Sequence, residues 1–173
     1  MHMHSDRRWD RNKLSRSFKS AIEQAHANAL LWNQSHAHLH HLLLALVGQP
    51  GSLAWQTLQV RQVEYKHLYA SVLSLAPTRP TRDTSCGKLI SDETTQAIYH
   101  AIEEASSLHR KTVDADHLFL GVLRVNHDIT RLALISLGFE RFSTYRFARE
   151  ALISGRRRYK TDVRRLEVSN SIS

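Results

Sequence analysis

His41-Leu42-Leu43-Leu44-Ala45-Leu46-Val47 decides the fold, because the chain writes it twice. The second copy is Asp116-His117-Leu118-Phe119-Leu120-Gly121-Val122-Leu123, and its histidine stands 76 positions after the first (117 − 41). Holding that offset and moving backwards, Ser15 meets Ser91, Ala21 meets Ala97, Ile22 meets Ile98, Ala25 meets Ala101 and Ala29 meets Ala105. Moving forwards, Leu42 meets Leu118, Leu44 meets Leu120, Leu53 meets Ile129 and Leu58 meets Leu134. So many matches in one ungapped register indicate a tandem duplication rather than shared helical composition.

Each copy reads as four helices. Ser15 is an N-cap ahead of a stripe of Phe18, Ala21, Ile22, Ala25, Ala29 and Trp32 at helical spacing. A second helix is expected over about 39–48, ended by Gly48-Gln49-Pro50-Gly51. A short third follows over 52–58 and a fourth over 63–75. Residues 76–88, with two prolines and small polar residues, read as the linker. Ser91 then caps a helix through His109, with Asp92 and Glu93 in the first turn where they suit the helix dipole. Further helices are expected at about 115–125, 128–137 and 140–154, with Gly155 ending the last. The first unit is expected to run about three residues short ahead of its fourth helix. The fold class is therefore all-α, two tandem pseudo-symmetric four-helix repeats forming one eight-helix globular domain. Its parts are a basic N-terminal segment 1–13, repeat one at 14–75, the linker, repeat two at 89–155 and a basic tail at 156–173.

Composition sets the outer bounds. The 173 residues hold three prolines, six glycines and 42% hydrophobic residues, which favours a helical protein with a core. A single cysteine, Cys86, leaves no intrachain disulfide and fits a reducing compartment. No run approaches the roughly 18–20 apolar residues of a membrane span. The start lacks the apolar core of a secretory signal, so the expected location is the cytoplasm. Net charge is +8 and sits at the ends: residues 1–17 carry +3, 156–173 carry +4, and the body between them only +1.

The residues at this point resemble a known family. A helix with Ile22, Ala25 and Ala29 (Ile98, Ala101 and Ala105 in the second copy), then Val113 to Leu123 as Val-x-x-Asp-His-Leu-x-Leu-Gly-Val-Leu, is similar to the Clp N-terminal repeat domain of Clp-type AAA+ unfoldases. Leu137-Gly138-Phe139 also fits the family pattern, and the resemblance covers about residues 14–155. Ala45 replaces the usual glycine in repeat one, and His40 stands where the family has an acidic residue. The resemblance implies two four-helix units in one globule, and a module that binds adaptors or unfolding substrates. The sequence has no Gly-x-x-x-x-Gly-Lys-[Ser/Thr] phosphate loop, so it is expected to be a free-standing, non-catalytic module without cofactor. Its expected partners are a Clp-type unfoldase or protease, its substrates or its adaptors. Nucleic acid, met through the basic ends such as Arg156-Arg157-Arg158-Tyr159-Lys160, is the alternative.

Several residues invite chemistry. His41 and His117 occupy matched helix starts; the packing reading is preferred, since catalysis needs a base or nucleophile the repeat does not supply. Ser15, His40, Ser91 and Asp116 form a tentative ligand-binding quartet. In some family members the equivalent hydroxyl and acidic residue recognise phosphorylated arginine, by helix N–H groups on the anion and carboxylate on the guanidinium. Here that reading is confined to Ser91 with Asp116, because His40 offers no permanent carboxylate; plain helix capping is the competing reading. Asp116 is expected to be dispensable for the fold. His36, His38, His40 and His41 have spacing that imidazole–metal binding uses, yet no Cys or carboxylate completes a set, so no metal is expected. Trp32 and Trp55 are expected in packing, with a partner groove as alternative. Glu103 and Glu104 read as a solvated helix face.

Overall fold

The computed structural model describes residues 13–76 and 89–155, within which eight helices carry the chain. Ser15 holds extended backbone and its Oγ accepts the Phe18 N–H at 3.2 Å, so α1 starts at Arg16 and runs Arg16–Leu31. Ser91 does the same for Thr94 at 3.2 Å, and α5 runs Asp92–Ser107. In both, a small hydroxyl side chain satisfies one of the N–H groups that a helix start leaves orphaned. The remaining helices are α2 Leu39–Val47, α3 Leu53–Gln59, α4 Tyr65–Leu75, α6 Ala115–Arg124, α7 Asp128–Ser136 and α8 Arg141–Ile153.

The repeat is closer than the sequence indicated. Helix starts Arg16 and Asp92, Leu39 and Ala115, and Tyr65 and Arg141 are each 76 apart, and only α3 and α7 differ, at 75 (128 − 53). Left-handed residues recur in step as well: Asn33 at φ 54° with His109 at 52°, and Gln62 at 55° with Gly138 at 81°. The expected three-residue shortfall before the fourth helix is therefore absent. α8 buries the small residues Thr144 and Ala148 where α4 buries Leu68 and Val72, so the two fourth helices match in position but not in apolar stripe.

α2 and α6 form the centre. Every residue of α2 is buried, as is every residue of α6 except Arg124. A helix apolar on all sides has to be wrapped on all sides, and the other helices supply that wrapping. The buried alanines of α1 (Ala21, Ala25, Ala29) and α5 (Ala97, Ala101, Ala105) let the central helices approach closely. Closest is Gly121, where an added Cβ would stand 2.1 Å from Ala97 O.

The two repeats are threaded through each other. Leu14 bridges Val113 and Ala37 bridges Ile90, each as a short parallel pairing. Ser15 N–H donates to Val113 O (2.9 Å) and Val113 N–H to Lys13 O (2.8 Å). Ala37 N–H donates to Leu89 O (3.0 Å) and Ser91 N–H to Ala37 O (3.2 Å). Each repeat's entrance is thus tied to the loop ahead of the other's central helix. Among the described residues no helix is long and apolar enough to cross a membrane. Cys86 and most of the basic N-terminal segment, linker and basic tail lie outside the described residues.

Candidate functional site

The matched histidines make the same contact. His41 Nδ1 accepts the His38 N–H at 3.1 Å, and His117 Nδ1 accepts the Asp114 N–H at 3.2 Å. Each imidazole thus reaches back from the third helical position to the capping residue, as in a capping box. Both rings are buried, at 0% and 1% exposure, which leaves no path for a substrate to reach them.

The threading sets the surroundings of the serine–acid quartet. Threading sets the Ser15 N–H on Val113 O, and Ser17 Oγ accepts the Ala115 N–H (3.2 Å) and shares a hollow with Asp114 and Asp116 at the start of α6. Ser91 and Thr94 lie instead against Ala37, ahead of α2, and Thr94 Oγ1 donates to Ala37 O at 2.9 Å. Across the hollow from Asp114 and Asp116 stands Ser17, while the backbone N–H of Ser91 is held by Ala37 O, one residue ahead of His38. Asp116 also makes a structural contact, against the expectation that the fold can spare it. Its Oδ1 accepts the Leu53 N–H at 2.9 Å in a buried setting, capping α3 of the other repeat.

His40 has become the centre of a ring cluster. Its ring lies 4.1 Å from His41, 5.6 Å from His38, 5.8 Å from Trp32 and 6.0 Å from His127, centroid to centroid. It is 2% exposed and neither ring nitrogen has a hydrogen-bond partner. Burial, with the neighbouring histidines adding to it, lowers its pKa to about 2, and burial beside His38 lowers that of His41 to about 4. These rings are packed and neutral. Among the described residues no group of three or more His, Cys, Asp or Glu is arranged to hold a metal. Trp32 caps the cluster, half-buried, with Nε1 donating to Tyr69 Oη at 3.1 Å.

The open concavity lies over the C-terminal half of α2. Leu44, Ala45 and Val47 form its floor, Ser20, Gln24 and Asn28 of α1 one wall, and Pro50, Trp55 and Tyr65 the other, enclosing about 520 Å³. Trp55 is half-buried and lines this groove. Gln24 Nε2 donates to Asn28 Oδ1 (3.2 Å), which fixes the amide wall. Gln49 and Pro50 also line a second hollow of about 240 Å³, together with Ser17, Ser52, Asp114 and Asp116. From Ser17 to Asn28 the α1 wall is about 16 Å long at 1.5 Å per residue.

A further cleft of about 840 Å³ lies between α5, α6 and α8. The expected solvated pair Glu103–Glu104 is split there. Glu103 is exposed and pairs with Arg124 Nη2 (3.0 Å), but Glu104 is 4% exposed. Glu104 accepts from Arg124 Nη1 (3.2 Å), Arg149 Nε (3.0 Å) and Tyr145 Oη (2.6 Å), the buried, fully paired arrangement that a carboxylate requires away from water. Its helical phase was the available signal, since Glu104 lies three residues after Ala101 and one before Ala105 on the core-facing side. The groove had no such signal, because Gln24, Asn28, Trp55 and Tyr65 come together only through packing.

The model of the Clp repeat (R) N-terminal domain matches residues 13–137, and the chain belongs to that family. Solved structures agree on the fold. The N-terminal domain of the caseinolytic protease-associated chaperone ClpD from Arabidopsis thaliana is similar at TM-score 0.66 and 17% identity, over 83% of this chain and 96% of that one. The N-domain of ClpV from Vibrio cholerae is similar at 0.62 and 22%, over 78% and 82%. A ClpV N-domain in complex with a VipB peptide is similar at 0.61 and 23%, over 83% and 88%. No curated protein matches the chain.

Proposed function

We propose that this chain is a non-catalytic recognition module of a Clp-type chaperone–protease system, an accessory or adaptor that holds a segment of a substrate, an adaptor or the Clp machine. The observation that carries the reading is the open groove over α2, with an apolar floor and an aromatic and amide lip. Such a surface fits a peptide without any cofactor. Family membership supports it, as does the complex in which a ClpV N-domain holds a VipB peptide. In this reading Asp116, with Ser17 and Asp114, forms the polar end of the site, and Ser15 starts the helix that carries Ser17. Ser91 and His40 hold the matched positions of the other half, where the His40 ring is packed.

Capture from native lysate, with the full chain as bait and mass spectrometry as readout, tests the proposal. Recovery of a Clp-type ATPase, its peptidase or an adaptor is the expected result. Recovery only of nucleic-acid-associated proteins, lost on nuclease treatment, would move the function to the basic ends and end the proposal.

A further inference from the structure

The two central helices begin with the same capping contact but are built to answer a proton in opposite ways. Under the 76-residue offset, Asp114, Asp116 and His117 at the start of α6 correspond to His38, His40 and His41 at the start of α2. In repeat two a carboxylate lies beside the imidazole. Asp114 Oδ1 is 2.9 Å from His117 Nδ1, so a proton taken up there would complete an ion pair. In repeat one the matched neighbour of His41 is another imidazole, His38, at 5.9 Å between ring centroids. The contacts across the repeats differ in the same sense. Asp116 accepts the Leu53 N–H of α3, just after the Ser52 cap. His40, its counterpart, stacks instead on His127, which caps α7 as Ser52 caps α3. One cross-repeat contact is thus a carboxylate holding a backbone N–H. The other is a pair of stacked imidazoles in which His40 makes no hydrogen bond.

We propose that the stack of His40 on His127 is a proton-released latch, which holds the starts of α2 and α7 together while its rings are neutral and lets them part in acid, leaving the twin contact of Asp116 with α3 closed. The charges facing His40 are those of His38 and His41 on its own helix and of His127 from α7, all positive when protonated. α1 contributes the indole of Trp32, which does not titrate, and α4 the Tyr69 hydroxyl bonded to it. His36, two residues ahead of His38, is engaged by Ser35 Oγ at 2.7 Å. Carboxylates act one ring further out. Burial disfavours the charged form of His127, whereas Glu93 of α5 and Asp128 of α7 favour it. They draw a proton towards the ring on which His40 is stacked, and a second proton in the cluster is then repelled across 5.6 to 6.0 Å. Closure holds both rings below the ordinary histidine value of 6.5, so the closed latch binds fewer protons than the open one. It is therefore favoured above pH 6.5 and weakens as pH falls beneath it. The repulsion acts at two helix starts and leaves the apolar helix faces packed, so the opening is local.

Hydrogen–deuterium exchange of the full chain at pH 7.5 and 5.5, read by mass spectrometry and corrected for the intrinsic rate at each pH, tests this. Amides in the first two turns of α2 and α7 are expected to lose protection about tenfold at the lower pH, and those of α6 and α3 to change less than about threefold. Helical circular dichroism is expected to be the same at both pH values. His127→Ser, which copies the Ser52 cap, and His40→Phe, which keeps a ring that takes no proton, should each bring the loss at α2 and α7 below about threefold. The two variants are judged separately, so one that fails to fold leaves the other to decide. Equal loss at all four helix starts would mean a general weakening of the fold and would overturn the latch. Unchanged protection at α2 and α7, or a loss undiminished in a folded variant, would overturn it as well.

Discussion

At the scale of one residue, His40 shows how burial turns an ordinary side chain into a pH-dependent load. Its ring touches His38, His41 and His127, and Glu93 and Asp128 act on His127 from α5 and α7. Folded, His40 titrates at about 2 and His41 at about 4, against an ordinary 6.5. Below pH 6.5 the unfolded chain takes up protons that the folded chain refuses, so stability falls as pH falls. The loss runs down to about 4 for His41 and to about 2 for His40, and is absent above 6.5. At about 1.4 kcal/mol per pH unit for each group, the pair costs on the order of 4 kcal/mol at pH 5. His40→Phe keeps a ring in the cluster and removes one titrating group, so about half of that loss should vanish. Urea midpoints from pH 7.5 to 5 measure it; parallel slopes for wild type and variant would show that His40 is not held neutral.

Among the elements, the α5–α6 crossing is the tightest and its tolerance is the most one-sided. Gly121 sits under Ala97 and Ala101, and a Cβ there would meet Ala97 O at 2.1 Å and Ala101 N at 3.0 Å, both backbone. Nothing flexible can yield, so the helices must part. Gly121→Ala should cost about 3 kcal/mol, the upper range for overpacking. The equivalent crossing in repeat one already accommodates Ala45, at 2% exposure, so Ala45→Gly should cost only about 1 kcal/mol from helix propensity plus the lost methyl contacts. Thermal melts of the two variants test the asymmetry, and similar losses would refute it. The helices themselves were legible in sequence because Ser15 and Ser91, the alanine stripes and Gly155 are local signals. The bond from Asp116 to the Leu53 N–H, the burial of Glu104 and the groove around Trp55 were not. They depend on which distant segments meet, and a periodicity of 3.6 carries no such information.

For the whole molecule, the threading makes the repeats one folding unit despite their sequence symmetry. Neither repeat keeps its own entrance: Leu14 pairs with Val113 and Ala37 with Ile90. The exchange continues deeper, where Asp116 of repeat two caps α3 of repeat one and Ser71 Oγ of α4 lies 2.7 Å from Ser136 Oγ of α7. Removing one repeat would strip the other of backbone partners and expose the walls of a central helix that is apolar on every side. Residues 1–76 or 89–173 alone should therefore lack cooperative unfolding, while an equimolar mixture of the two should recover helical signal by association. The intact chain should unfold in a single transition, with helical circular dichroism and Trp55 fluorescence, read in a variant whose other tryptophans are phenylalanine, losing signal at the same urea concentration. A half that melts cooperatively by itself would mean that the bridges at Leu14 and Ala37 decorate two independent bundles. It would also free the repeat-one groove to work without repeat two, although Asp114 and Asp116 at its end come from there.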